Sequence, residues 1–340
     1  MEPFVTLQEI RAARERIKPA ARYTPLLEVG WPRLRQGSGE ADSSRPQDLR
    51  TASPLFLKCE NLQPMGAFKI RGAFNMISQL PKQSLERGVI TYSSGNHGQA
   101  VAMAAQKVGA PAVIVMPTTA PAVKVEGCKS YGADVIMEGT TSLDRQKRAE
   151  QESGARGLTI VPPFDHRQII IGQGTMGLEI LEQCPDVGTV FVPAGGGGMA
   201  SGVAAAIKLS KPDVRMIAVE PEGAPKMTKS LEAGQPVTLP SSKSIADGLM
   251  NLRPGDITFA HIRAFVDEVV TVGEADIANA VAWLFRNSRL VVEPSGAVTT
   301  AAVALGLGNV DLTKGPVVAV VSGGNVAPDA FAKYLEVTIC

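Results

Sequence analysis

One unit recurs along this chain: a short apolar run, a glycine- or serine-rich turn, then a helical stretch. Candidate strands at 55–58, 88–92, 112–116, 134–137, 189–192, 214–219 and 317–321 are mostly continuously apolar rather than alternating. Strands covered on both faces read this way, and a parallel sheet flanked by helices requires such covering. The expected fold class is α/β, with helices between strands and parallel-sheet cores. Thr6 with Glu9, and Thr271 with Glu274, have capping-box spacing ahead of apolar periodicity, so each marks an expected helix start. Residues 36–53 lack apolar periodicity and read as a surface loop to which no function is assigned.

The length of 340 residues allows two domains or one large one. Net charge is +1, aromatics are 5% and no long basic run occurs, so a nucleic-acid groove has no support and a small-molecule partner is expected. The N-terminal stretch has no apolar core of a signal peptide, and no apolar run reaches the roughly 18–20 residues of a membrane span. Cys59, Cys128, Cys184 and Cys340 lack CxxC spacing, and His97, His166 and His261 lie far apart. Neither a disulfide framework nor a zinc cluster is expected, and the compartment reads as reducing cytoplasm.

Four loops carry the chemistry. A strand ending at Val192 runs through Pro193 and Ala194 into Gly195, Gly196, Gly197, Gly198 and Met199, then into an alanine-rich helix. Bare amides at a helix N-terminus make a phosphate cradle. The same residues satisfy GxGxxA through Ala200, with Glu220 ending the next strand, so a nicotinamide dinucleotide and a dehydrogenase remain open at this point. A second loop places Lys69 directly after Phe68 in a glycine-flanked turn. A desolvated lysine there would offer a nucleophilic amine, while a lysine at an exposed helix start is the plainer alternative. In the third loop, Ser93, Ser94, Asn96 and His97 offer hydroxyls and helix-terminal amides to a carboxylate, with His97 either a general base or a cap on its own helix. The fourth, Ser322-Gly323-Gly324-Asn325, follows a strand and is either a ligand loop or an ordinary turn.

Together these loops resemble fold-type II pyridoxal-phosphate enzymes, which are tryptophan synthase β-like, and within them the serine and threonine dehydratase (ammonia-lyase) and serine racemase branch. The motif Lys58-x-Glu60-Asn61, followed by Gly66-Ala67-Phe68-Lys69-x-Arg71-Gly72-Ala73, looks like the family's lysine signature. The other three loops match in family order.

The resemblance implies pyridoxal 5'-phosphate as cofactor, with Lys69 its covalent anchor and the catalytic base, and Phe68 against its ring. Asn96 would bond the ring hydroxyl, the amides of residues 195–199 the phosphate, and Ser322 would face the ring nitrogen. Gly248 and Glu293 would lie near the ring. Ser93, Ser94, Asn96 and His97 would clasp the substrate carboxylate, with Arg145 as a further clamp. It also implies a large domain of 1–87 and 166–340, a small mobile domain of 88–165, and a homodimer or homotetramer. The expected reaction is dehydration and deamination of a β-hydroxy amino acid such as L-threonine or L-serine. Racemisation on the same scaffold, with Ser94 as the opposite-face acid, is the alternative, and the 161–166 stretch looks more like the dehydratases. The 340 residues show no regulatory amino-acid-binding domain, so feedback inhibition is not expected of them.

Relatives in this branch often bind a divalent cation through a glutamate, a carbonyl four residues on and an acidic residue two beyond. Glu220 and Ala224 match, but the third position is Lys226, whose ammonium cannot ligate a metal. No metal is expected. Lys226 either stands in for the cation by approaching Glu220 or points to solvent.

Overall fold

The computed structural model describes residues 4–32, 53–93, 95–120 and 122–336. Apart from Ser53, the 36–53 segment lies outside the described residues, as does Cys340. In chain order the strands are β1 (Leu26–Val29), β2 (Leu55–Cys59), β3 (Val89–Tyr92), β4 (Ala112–Met116), β5 (Asp134–Met137), β6 (Thr159–Ile160), β7 (Thr189–Pro193), β8 (Arg215–Pro221), β9 (Glu268–Val272) and β10 (Val317–Val321). They form a six-stranded sheet ordered β1-β2-β10-β7-β8-β9 and a four-stranded sheet ordered β5-β4-β3-β6. Every pairing is parallel except β1 with β2.

β10 shows why the strands are apolar throughout. Val318 and Val320 pack with Val203 and Met199 of the helix Gly198–Ser210, while Val317, Ala319 and Val321 face the opposite layer with Val281 and Val298. Each such buried valine stabilises the fold by roughly 1.5–3 kcal/mol. The small sheet repeats the logic, Ile114 facing the helix Asn96–Val108 and Val113 and Val115 facing Ala149. Helices also meet closely: a Cβ on Gly202 would lie 2.3 Å from the Ile170 carbonyl oxygen of the helix Arg167–Gln183, so only glycine fits the crossing.

The seven expected strands all form, with ends shifted by at most two residues. β1, β6 and β9 were not anticipated: β6 is two residues long, and β1 and β9 are sheet edges whose side chains are mostly half-buried or exposed. The capping box at Thr6 and Glu9 forms in both directions. The one expected at Thr271 does not, because Thr271 belongs to β9 opposite Glu220. Gly273 caps that helix instead, and the Glu274 carboxylate accepts the Ile245 amide at 2.6 Å.

β2, β3, β7 and β10 deliver the chain at their carboxyl ends into the loops of interest, the usual place for a ligand crevice in parallel sheets.

Candidate active site

Lys69 caps the helix Ile70–Ile77, which follows β2 through the turn Glu60–Leu62. That connection is anchored by buried charge. Arg71 is fully buried and donates to both Glu60 oxygens at 2.7 Å and to Glu179 at 2.7 and 2.8 Å. Lys58 donates to Glu179 at 2.6 Å and to the Thr24 carbonyl at 2.7 Å. Burial works against these charges, but Arg71 holds the Glu60 carboxyl below its usual range. Thus Lys58, Glu60 and Arg71, which share the lysine motif, form the bed beneath Lys69.

The Lys69 amine is part-buried, donates to the Pro163 carbonyl at 2.7 Å and lies 5.1 Å from the centre of the Phe68 ring. Burial pushes its ammonium down to about 8. A closed circuit of contacts starts here. Next to Pro163, Phe164 covers the glycine loop, where a Cβ on Gly196 would lie 2.3 Å from its ring and one on Gly198 3.0 Å from its Cβ. A Cβ on Gly195 would lie 3.2 Å from the Gly248 carbonyl oxygen, and the Gly248 amide donates to the Ser295 hydroxyl at 2.9 Å. The Ser322 hydroxyl reaches the Ser295 carbonyl at 3.4 Å, and the Ser322 carbonyl accepts the Phe68 amide at 3.1 Å.

Within the circuit, Gly197 adopts φ +100° and opens the thirteen-residue helix Gly198–Ser210, whose second residue is Met199. The amides of residues 195–200 donate to no carbonyl among the described residues. Unpartnered amides at a helix N-terminus call for an anion.

The small sheet reaches the same place. Asn96, first residue of the helix after β3, donates to Glu293 Oε1 at 2.7 Å and accepts from Asn325 Nδ2 at 2.8 Å. Burial, helped by Asp247, pushes Glu293 up to about 8. Lys124 pairs with Asp247 at 2.7 Å across the same gap. The Ser93 hydroxyl accepts the Gly95 amide at 3.2 Å, and Ser94 lies outside the described residues. Burial and the charge of Lys69 push His97 down to about 3, so its ring is neutral, with Nε2 donating to the Val161 carbonyl at 3.0 Å. His97 therefore does not cap its helix; Gly95 holds that position. Arg145 donates to the Thr140 carbonyl at 3.4 Å, and no contact among the described residues ties it to the circuit.

Sequence reasoning passed over Pro163, Phe164, Asp247, Ser295 and Asn325. Pro163 and Phe164 lie in the 161–166 stretch and Asn325 in the Ser322 loop, both singled out in the sequence, while Asp247 and Ser295 lie within two residues of Gly248 and Glu293; spacing gives no role to any of the five, because each acts through a contact between loops.

Glu220 is not available to a ribose. It is fully buried, takes the amides of Met227 and Thr228 at 3.0 and 2.8 Å, and pairs with the Lys226 ammonium at 3.2 Å. The dinucleotide reading of the glycine loop loses its acidic partner and is set aside. Of the two alternatives for Lys226, the approach to Glu220 is the one observed.

An anion cradle and a desolvated lysine amine joined in one circuit fit a phosphorylated aldehyde cofactor. Residues 40–323 match the family described as pyridoxal-phosphate dependent enzyme, and the chain belongs to that family. Its cofactor is pyridoxal phosphate. More narrowly, it is 41% identical to the L-threonine ammonia-lyase of Thermotoga maritima over 323 residues, 95% of this chain and 76% of that protein. It is 41% identical to a serine racemase of Oryza sativa subsp. indica over 296 residues, 87% of this chain and 83% of the other. The structure of maize serine racemase matches with a TM-score of 0.86 at 37% identity, over 97% of each chain. The α/β architecture is that of these fold-type II enzymes.

Proposed function

We propose that this enzyme converts a β-hydroxy amino acid such as L-threonine or L-serine to a 2-oxo acid and ammonia, through loss of water at the β-carbon and its return at the α-carbon. The observation that carries the reading is the Lys69 amine, held at about 8 beside the unpartnered amides of the glycine loop. The likeness to L-threonine ammonia-lyases supports the choice of substrate.

When bound, the cofactor supplies the electron sink that lets the Cα–H bond break and the β-substituent leave. Lys69 Nζ accepts the α-proton; water leaves from the β-carbon, and a second water later replaces the nitrogen, which departs as ammonia. The amides of residues 195–199 would hold the phosphate, Phe68 would support the ring, and Asn96, Gly248 and Glu293 would line it. Ser322 would supply a hydroxyl to the ring nitrogen, which fixes a proton less firmly than a carboxylate and so would favour elimination over transamination. Ser93, Ser94, Asn96 and the His97 amide receive the substrate carboxylate, with Arg145 of the same domain as a further clamp. Residues 88–165 move as the smaller domain against 1–87 and 166–340, and the Asn96–Glu293 and Lys124–Asp247 contacts are those that closure makes.

Racemisation is the second reading, supported by the serine racemase relatives. A panel of L- and D-amino acids, scored separately for 2-oxo acid and for the opposite enantiomer, decides between them. Faster enantiomer formation than 2-oxo acid formation on every substrate overturns the lyase reading. Assembly as a homodimer or homotetramer in the cytoplasm belongs to the same proposal. The buried free thiols of Cys59, Cys128 and Cys184 fit a reducing compartment, and sedimentation checks the assembly.

A further inference from the structure

An ammonium that loses all contact with water must find oxygen elsewhere. Lys226 is fully buried, and its Nζ lies 3.0 Å from each of the carbonyl oxygens of Ala194, Ala224 and Leu249 and 3.2 Å from Glu220 Oε2. Four oxygens, one of them charged, surround one cation. These acceptors come from separate segments. Ala194 immediately precedes the glycine loop, Leu249 immediately follows Gly248, Glu220 is the penultimate residue of β8, and Ala224 lies in the turn after it. Two of the walls of the circuit around Lys69 are thus tied to a single charge.

We propose that Lys226 is a positioning residue for the cofactor: its buried ammonium clamps the phosphate loop to the 246–250 segment and does so as a fixed internal cation, in place of an exchangeable one. Three backbone carbonyls cannot be reoriented by rotamer change, so their register follows the ammonium. The Glu220 carboxylate is held in turn by the Met227 and Thr228 amides and the Thr228 hydroxyl, which keeps the pair from collapsing toward either loop. Lys226 touches neither Lys69 nor the expected ring position, so its influence falls on cofactor retention before it falls on chemistry.

The test measures the dissociation constant of pyridoxal phosphate by absorbance on purified Lys226→Ala and wild-type enzyme. Removing the clamp is expected to weaken binding by about tenfold or more, since it strands a buried carboxylate and three carbonyls. Ethylammonium chloride, which restores the missing charge and part of the missing stem, is expected to recover most of that loss in Lys226→Ala and to leave wild type unchanged. Binding within about twofold of wild type, or a loss that ethylammonium does not touch, overturns the proposal. Where Lys226→Ala fails to fold, Lys226→Met fills the same space without charge and is read by the same affinity limits. The wild-type enzyme gives an independent reading: its cofactor affinity is expected to be indifferent to magnesium, calcium and chelator. A severalfold gain with either ion, reversed by chelation, would show an exchangeable cation at work and overturn the internal one. Cofactor affinity is read without turnover, so these outcomes stand apart from the choice of lyase or racemase.

Discussion

Asn96 and Glu293 are 197 positions apart in the chain, yet Asn96 Nδ2 donates to Glu293 Oε1 at 2.7 Å, joining the helix after β3 to the start of the helix Pro294–Ala304. The carboxyl is buried near Asp247, which together push it up to about 8, so it accepts this bond as a neutral acid.

A pH dependence follows. In the folded protein Glu293 holds its proton to about 8 and in the unfolded chain only to about 4.5. Between those values the folded state binds more protons, so stability is fully present below about 4.5 and falls as pH rises through about 8, by about 1.4 kcal/mol per unit at most. Glu293→Gln keeps the shape and the acceptor without the proton. Urea unfolding of apoprotein across this window is expected to show a shallower decline for the variant, and identical slopes would remove Glu293 as the cause.

Lys69→Ala is expected to leave the fold intact and turnover lower by at least about 10³-fold, since anchor and base are lost together. Far-ultraviolet circular dichroism checks the fold and 2-oxo acid formation the activity. Substantial elimination without added amine would transfer the role elsewhere.

Much of this site was legible because its parts are loops at strand ends, and loops announce themselves through glycine and serine. Lys69, Asn96, the run from Gly195 to Gly198 and Ser322 stood out for that reason. Contacts between loops were not legible: nothing in the spacing places Phe164 over Gly196 or Asn325 beside Asn96, since both depend on how two sheets face each other. Strands buried on both faces gave firm signals, whereas the edges β1 and β9 carry polar residues that blur theirs. Thr271 misled because capping spacing is local, while its pairing with Glu220 across β8 and β9 is not.

Gly196→Ala adds one methyl group where the Phe164 ring carbons lie 2.3 to 2.5 Å away. The ring has to shift, and with it the Pro163 carbonyl that holds Lys69. Overpacking of this kind costs typically 1–3 kcal/mol, so pyridoxal phosphate is expected to bind about tenfold or more weakly. Equilibrium dialysis measures it, and unchanged affinity would mean that Phe164 moves away freely.

Arg71 sits two residues beyond Lys69 and makes its bonds inside the protein, to Glu60, Glu179, Thr175 and the Arg22 carbonyl. With Lys58 it balances two carboxylates by two cations in a region closed to water. Arg71→Met removes one cation and leaves the carboxylates in excess, which for a buried pair costs about 3–5 kcal/mol. Lysine is a poor replacement, because one ammonium cannot meet two carboxylates with the planar fork of a guanidinium. Arg71→Met combined with Glu60→Gln restores the count of one cation to one anion, Lys58 with Glu179. The double variant is therefore expected to be more stable than Arg71→Met alone, by urea unfolding at pH 7. If the two single substitutions simply add, the four charges act independently and the bed beneath Lys69 is held by its apolar neighbours instead.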